Sequence, residues 1–148
     1  MAIRFSKEQA PLEARPQQMV SGAVFRGDLR RLRCSYDLAV DGAVTTSDQI
    51  KLATLPTGAV FAYGTLNQSA SLGTSNVAIG TSAVHGSNGQ FRAAAVKTST
   101  NSPEVFQQVA AAAAAPSVAA QDVWLTVATA SLPGSGTIVV DLYFSIVA

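Results

Sequence analysis

Hydrophobic and polar residues alternate with a period of two over most of the chain, which is typical of strands that bury one face. The alternation is centred on Asp48 to Leu66, where it runs on both sides of Leu55-Pro56-Thr57-Gly58. Proline presets the backbone of a turn, and a glycine just after it relaxes the steric limit on the next residue. The pattern predicts two strands joined by a tight turn in one antiparallel unit.

The same alternation predicts strands before and after this unit. Arg31 to Val40 places its apolar residues on one face. The runs Asp122 to Ala130 and Thr137 to Ala148 are joined by the segment Leu132-Pro133-Gly134-Ser135-Gly136, and we expect them to form a hairpin. The second face of the last run is also partly apolar, since it carries Val139, Tyr143 and Val147, so we expect the arm or another subunit to cover it.

Two shorter runs, Asn76 to Thr81 and Phe91 to Lys97, bring the total to about seven or eight strands with turn signals at short intervals. Such a succession is typical of a sandwich of two sheets. The predicted fold is therefore an all-β β-sandwich with a jelly-roll-like strand order.

One segment predicts a helix. Ser102-Pro103-Glu104 has the residue types that favour a helix start: a capping serine, a proline at the first position and an acid near the positive end. Val105 to Ala115 follows with six consecutive alanines, and Pro116 ends the run. We expect one short alanine-rich helix, with an alanine-rich loop as the alternative.

Residues 1–30 show no lasting period, because prolines and glycines interrupt them, yet they contain scattered hydrophobic residues. Such a segment is typical of an extended arm that docks on its own body, a neighbouring subunit or a larger assembly. We therefore predict an N-terminal arm over residues 1–30 and a β-sandwich domain over residues 31–148. A chain of 148 residues is long enough for one such core.

Charge is distributed unevenly along the chain. Residues 1–34 carry seven basic and three acidic side chains, whereas the remainder carries three basic and six acidic ones. An acidic body argues against nucleic-acid binding, and we expect the arginines near the first strand to pair with carboxylates at a subunit contact. The N-terminus lacks a signal-peptide pattern and no apolar run has membrane-spanning length, so we predict no membrane association and no export by a signal peptide.

Few residues suit catalysis or metal binding. Cys34 and His85 are the single cysteine and the single histidine. An intramolecular disulfide is therefore ruled out, and Cys34 is expected to be a small buried thiol. Without a nucleophile, base and acid pattern the sequence predicts no enzyme, no cofactor, no metal and no small-molecule substrate. A calcium site built from loop acids stays open, although no acidic cluster favours it.

Three stretches together resemble a known family. Asp48 to Val60, the small-residue segment with Ala78 to Thr81, and Asp122 to Ala130 followed by a glycine-rich turn are similar to parts of small structural proteins of tailed bacteriophages. In particular, residues 31–148 resemble head decoration, or cement, proteins with a jelly-roll body.

The resemblance implies a virion protein, made in the host cytoplasm, that lies on the outer capsid surface as a homotrimer. It would bind across neighbouring major capsid subunits and stabilise the shell. The arm and first strand would supply the capsid or subunit contacts, for which we expect Arg4, Phe5, Arg15, Met19, Phe25, Arg26, Arg30 and Arg33.

The alternative is a tail or fibre module that binds host-surface carbohydrate. It would use Trp124, Tyr63 or Tyr143 as sugar platforms, although each of these rings also fits simple core packing. A main shell protein is disfavoured, because the chain is short and lacks the long helix of that fold.

Overall fold

The computed structural model describes residues 29–108 and 116–146. These residues form eight strands and one short 3-10 turn at His85–Ser87. The strands are β1 (Arg30–Asp37), β2 (Gln49–Leu55), β3 (Ala59–Gln68), β4 (Asn76–Gly80), β5 (Arg92–Ala95), β6 (Glu104–Phe106), β7 (Gln121–Ala128) and β8 (Thr137–Ile146). Each predicted strand is present, with ends displaced by a few residues.

The strands form two four-stranded sheets, and all their pairings are antiparallel. Sheet A has the order β1-β8-β3-β6, and sheet B has the order β2-β7-β4-β5. Strands that are consecutive in sequence thus alternate between the sheets, apart from β4 and β5. This is the strand order of an eight-stranded jelly roll, so the predicted β-sandwich is confirmed.

The core lies between the two sheets. Its side chains come from alternate positions of the strands and from connecting segments that close the ends, including Leu38, Val44, Leu72 and Leu132. Phe61 of β3 stacks on Phe91 with ring centroids 4.0 Å apart, and on Phe106 of β6 at 6.1 Å. These three rings fill the side of the sandwich near β5 and β6. Burial of large aromatic side chains contributes strongly to the stability of a core.

Two predicted pairings are wrong. β2 and β3 do not form one antiparallel unit, because β2 belongs to sheet B and β3 to sheet A. β7 and β8 are likewise in opposite sheets and form no hairpin. The predicted turn at residues 55–58 exists, with Gly58 at φ +80° and a hydrogen bond from the Ala59 N–H to the Pro56 carbonyl, but it leads from one sheet to the other.

The physical reason is the amphipathic character of consecutive strands. When a turn connects two strands in opposite sheets, the apolar sides of both strands point into the core between the sheets. Leu55 and Ala59, on either side of this turn, are both buried there. A hairpin would instead place both strands side by side in one sheet. Alternation alone fits either arrangement, because both bury every second residue.

The predicted helix start is also wrong. Glu104–Phe106 forms β6, which pairs with Gly64, Thr65 and Leu66 of β3. Burial of Phe106 in the core and the ion pair of Glu104 override the local capping signal. All six alanines of the predicted helix, Ala110 to Ala115, lie outside the described residues.

Of the predicted arm, residues 1–28 lie outside the described residues, and only Leu29 and Arg30 are described. β1 ends at Asp37, three residues earlier than predicted, because the Asp37 carboxylate accepts the N–H groups of Ala39 and Val40 and begins a turn. Val40, predicted to lie on the buried face, is 80% exposed in that turn.

Candidate interaction surface

The outer face of sheet A presents side chains in rows set by the strand register. One row contains Arg31, Tyr143 and Tyr63, from β1, β8 and β3 in turn. The next row contains Arg33, Asp141, Thr65 and Val105, the last of these from β6. A third row contains Ser35, Val139 and Asn67. Aromatic, aliphatic and arginine side chains therefore share one sheet face, a composition typical of the centre of protein interfaces.

Tyr63 and Tyr143 form the aromatic part of this face. Their rings stack with centroids 4.5 Å apart and planes 14° from parallel. Both side chains are half-buried, and Arg31 lies beside Tyr143 in the register. Val105 on β6 adds an aliphatic side chain that is 61% exposed.

Arg33 and Asp141 form a two-point ion pair in the neighbouring row. Arg33 Nε and Nη2 donate to Asp141 Oδ1 and Oδ2, each at 2.8 Å. The Asp141 side chain is 8% exposed and that of Arg33 is 55% exposed. The hydrogen bond from Arg33 lowers the pKa of Asp141 below its usual value, so this carboxylate is ionised at neutral pH.

The outer face of sheet B is arranged differently, because the segment 81–90 folds onto it. Asn88 Nδ2 donates to the Trp124 carbonyl at 3.1 Å and to Thr126 Oγ1 at 3.0 Å. His85 Nδ1 lies 3.1 Å from the same hydroxyl. His85 is therefore half-buried and in contact with the sheet.

Near this segment, Trp124 lies beside a small ion-pair cluster. Lys51 Nζ is 2.8 Å from Asp122 Oδ1 and 6.0 Å from the centre of the Trp124 ring. Thr54 Oγ1 also donates to Asp122, at 2.7 Å. The polar side chains of Lys51, Thr54 and Asp122 on β2 and β7 therefore bond to one another within sheet B.

The two lateral sides of the sandwich also differ. At β5 and β6, the buried Arg92 joins the sheets through Glu104, with Nε and Oε1 2.7 Å apart. Arg92 Nη1 also donates to the carbonyls of Val77 and Ala95.

At β1 and β2, a cavity of about 310 Å³ opens between the sheets, with Cys34 and Leu52 among its lining residues. Cys34 Sγ donates to the Leu52 carbonyl across this opening at 2.8 Å. Leu52 lies at the bulge where β2 departs from its register with β7. Burial raises the pKa of the Cys34 thiol to about 11, which keeps it protonated near neutral pH, as expected for a structural thiol.

Among the described residues, no group of three or more His, Cys, Asp or Glu side chains is placed to hold a metal ion. Over the same residues, no helix is both long and apolar enough to cross a membrane.

The structure places two of the predicted contact residues. Arg30 and Arg33 both lie on β1, an edge strand of sheet A, and Arg33 is paired with Asp141. Arg30 is exposed at the start of the strand and is opposite Phe144 in the register. The remaining predicted contact residues, Arg4, Phe5, Arg15, Met19, Phe25 and Arg26, lie outside the described residues.

Sequence reasoning did not combine Tyr63, Tyr143 and Asp141 into one surface. A signal was present, because alternation placed Tyr143 and Val139 on the second face of the last strand. The missing information was the neighbour of that strand, which is β3 and not β7.

No protein-family model and no curated protein matches the chain. Chains in solved structures do. A chain of the cyanophage Pam1 capsid asymmetric unit aligns with 99% of this chain and 100% of its own length, at a TM-score of 0.66 and 18% identity. A chain of the capsid of Ralstonia phage GP4 covers 82% of this chain, with 86% of its own length, a TM-score of 0.59 and 22% identity.

A chain of the acidic stable capsid structure of Helicobacter pylori bacteriophage KHP30 covers 80% of this chain and 87% of its own length, at a TM-score of 0.58 and 11% identity. At these identities the likeness is one of fold. Three phage capsid structures therefore each contain a chain with this fold.

Proposed function

We propose that this protein is a structural component of a bacteriophage virion that decorates the capsid and stabilises it by binding across neighbouring major capsid subunits. The observation that carries the proposal is the match over nearly the whole chain to a chain of the cyanophage Pam1 capsid. A jelly roll serves many functions, so the fold alone is weaker support than the common setting of all three matched chains.

Such a role requires binding surface and not chemistry. The outer face of sheet A is proposed as this surface, since stacked Tyr63 and Tyr143 lie next to Arg31, and exposed Val105 lies in the neighbouring row opposite Thr65. The arm is proposed as the second contact, with Arg4, Phe5 and Arg15 reaching the partner. Two linked contacts give a higher occupancy than either alone, because the second binding event becomes intramolecular.

We propose that the protein acts as a homotrimer on the outer capsid surface. Light scattering on the purified protein tests the oligomeric state. A trimer has three times the chain mass of 15.2 kDa, and a monomer at all concentrations would contradict this part of the proposal.

The tyrosine surface is tested by the double variant Tyr63→Ser/Tyr143→Ser in a binding assay with undecorated phage heads. We expect at least a tenfold loss of affinity, because aromatic side chains at an interface centre contribute about 2 kcal/mol or more each. Val118→Ser is the matched control, since Val118 is 94% exposed and lies in the segment 116–120, outside the sheets. Equal affinities of the two variants for heads would show that the outer face of sheet A is not part of the contact.

Carbohydrate binding is the alternative function. Tyr63 and Tyr143 each turn one ring face to the other, and Lys51 lies over the Trp124 ring. These rings are therefore less free to stack on a sugar than three separate exposed aromatics would be. Binding of the purified protein to a glycan array, with no binding to heads, would favour the alternative.

A further inference from the structure

The strand β1 has a free edge with unused backbone groups. It pairs with β8 on one side, and the Leu38 N–H continues that ladder by donating to the Gly136 carbonyl. Hydrogen-bonded positions alternate along an antiparallel strand, so the even-numbered residues of β1 bond to β8. Arg31, Arg33 and Ser35 direct their N–H and C=O groups to the other side. No strand or loop of residues 29–108 and 116–146 bonds to these groups.

The free edge ends at Asp37, because the turn that follows uses its backbone groups. The Asp37 N–H donates to Asp41 Oδ2 at 2.8 Å, and the Asp37 carbonyl accepts the N–H groups of Val40 and Asp41. The Arg33 side chain does not shield the edge, since it is directed to Asp141 on β8. An open sheet edge of this kind is a template for one more strand.

The sequence of β1 fits a second copy of itself. When two antiparallel copies are centred on Cys34, Arg31 of each lies opposite Asp37 of the other, and Arg33 lies opposite Ser35. Directly opposite residues share a face of the sheet, so both arginine–aspartate pairs lie on the outer face, where opposite charges stabilise strand pairing. The unused N–H and C=O groups of Arg33 and Ser35 also meet and exchange hydrogen bonds.

The two neighbouring registers lose one of these matches. Centring the copies on Arg33 sets two arginines directly opposite each other, which destabilises strand pairing. Centring them on Ser35 sets Arg33 opposite Asp37, whose backbone groups are already bonded within its own turn. The register centred on Cys34 therefore combines opposite charges with unused backbone groups.

Two exposed apolar side chains favour the same pairing. Leu29 precedes β1 and is 53% exposed, and Val40 follows it and is 80% exposed. In an antiparallel pair the start of one copy lies beside the end of the other, so Leu29 approaches the turn that carries Val40 of the second copy. Removal of both from water is favourable. The cavity between β1 and β2 opens at this edge, and the second copy would cover its opening.

We propose that β1 is a contact between two copies of this protein, which pair antiparallel about a twofold axis at Cys34 and join their A sheets into one sheet of eight strands. The outer faces of both A sheets lie on the same side, so Tyr63 and Tyr143 stay free for another partner. In the proposed trimer, this contact would connect copies of different trimers. The inference does not depend on capsid binding.

Cys34 reports the pairing directly. It occupies a non-hydrogen-bonded position of the new pair, where opposite Cα atoms are about 4.5 Å apart, and a disulfide spans about 4.4–6.8 Å. We expect oxidation with a copper catalyst to link most chains into covalent dimers on a non-reducing gel. The control is Cys34→Ser/Val118→Cys, whose highly exposed thiol meets others by random collision. Dimers of the unmodified protein that form no faster than those of the control would overturn the proposal.

Ser35→Pro removes an N–H from the free edge. Proline is tolerated at an edge position whose N–H points away from the sheet, so the ladder with β8 should remain, as circular dichroism would verify. We expect cross-linking through Cys34 to slow by about tenfold or more, and that of Ser35→Ala, which keeps the N–H, to change by less than about twofold. Equal cross-linking of the two variants would contradict the pairing.

Amide hydrogen exchange on the unmodified protein tests the same edge without a substitution. We expect the N–H groups of Arg33 and Ser35 to be protected, although neither bonds to β8. Fast exchange of both would overturn the proposal. Protection without cross-linking would overturn it as well, because something other than a second copy would then cover the edge.

Discussion

At the level of single residues, two ion pairs join different strands and have one buried partner each. Arg92 is 4% exposed and links β5 of sheet B to Glu104 on β6 of sheet A, while also bonding to two backbone carbonyls. Arg33 links β1 to Asp141 on β8, 108 residues later. Arg33 and Asp141 lie on neighbouring strands of one sheet, whereas Arg92 and Glu104 lie in different sheets, and alternation along the sequence marks neither pair as partners.

Replacing Arg92 tests the first pair. We expect Arg92→Ala to lower the free energy of unfolding by about 3 kcal/mol, because it leaves Glu104 without its cation and removes a buried donor from two carbonyls. Urea denaturation measures the change. Arg31→Ala is the matched control and should stay within about 0.5 kcal/mol, since Arg31 is exposed. Equal stabilities of the two variants would contradict the assigned role.

The second pair makes stability depend on pH. The pKa of Asp141 is lowered in the folded protein, mainly by the hydrogen bond from Arg33, so its contribution is fully present above the unfolded value of about 3.9. That contribution is lost as the pH falls through the folded pKa. The stability gap between the native protein and Asp141→Asn should therefore be constant from pH 7 to pH 5 and shrink below pH 4.

Unfolding free energies measured across this range, with Arg33→Ala as a second variant, check the effect. Arg33→Ala should show the same narrowing, because it removes the other half of the pair. A difference in unfolding free energy between the native protein and Asp141→Asn that stays constant down to pH 2 would contradict the stabilising role of the Arg33–Asp141 pair.

At the element scale, β3 occupies the middle of sheet A and has little room on its inner face at one position. A Cβ added at Gly64 would collide with the Phe106 ring of β6 and would come within 2.9 Å of the Asp141 carbonyl. Gly64 therefore permits the close approach of β6 and the stacking of Phe106 with Phe61.

We expect Gly64→Ala to destabilise the protein by about 2 kcal/mol or more, since overpacking a close-packed core displaces neighbouring side chains and backbone. Gly134→Ala is the matched control, because no atom lies within 4 Å of the position its Cβ would take. Thermal unfolding of both variants measures the difference. A melting temperature of Gly64→Ala equal to that of Gly134→Ala would show that the contact is not tight.

The strands other than β6 followed from the sequence, because alternation with a period of two reports burial of one face of a strand. Partner choice did not follow, since the Pro56 to Gly58 turn and the glycine-rich segment before β8 fit a hairpin and a connection between sheets equally well. Glu104–Phe106 shows the same limit: its capping signal is local, whereas its pairing with β3 is not.

At the scale of the whole molecule, the two outer faces differ in how they are used. The outer face of sheet B is covered by the segment 81–90, which contacts β7 through the side chains of Asn88 and His85. Sheet A presents the two tyrosines and the arginines of β1 in adjacent rows. The apolar residues on the second face of the last strand predicted that this face is covered. Which residues lie beside them could be identified only from the strand order β1-β8-β3-β6.

The proposed role requires the protein to bind capsids as a structural component. Co-sedimentation of the full-length protein with undecorated bacteriophage heads measures this binding. We predict saturable binding at a fixed number of copies per head and greater resistance of the loaded heads to heat. Protein that stays in the supernatant at every concentration, with heads no more stable than before, would contradict the account.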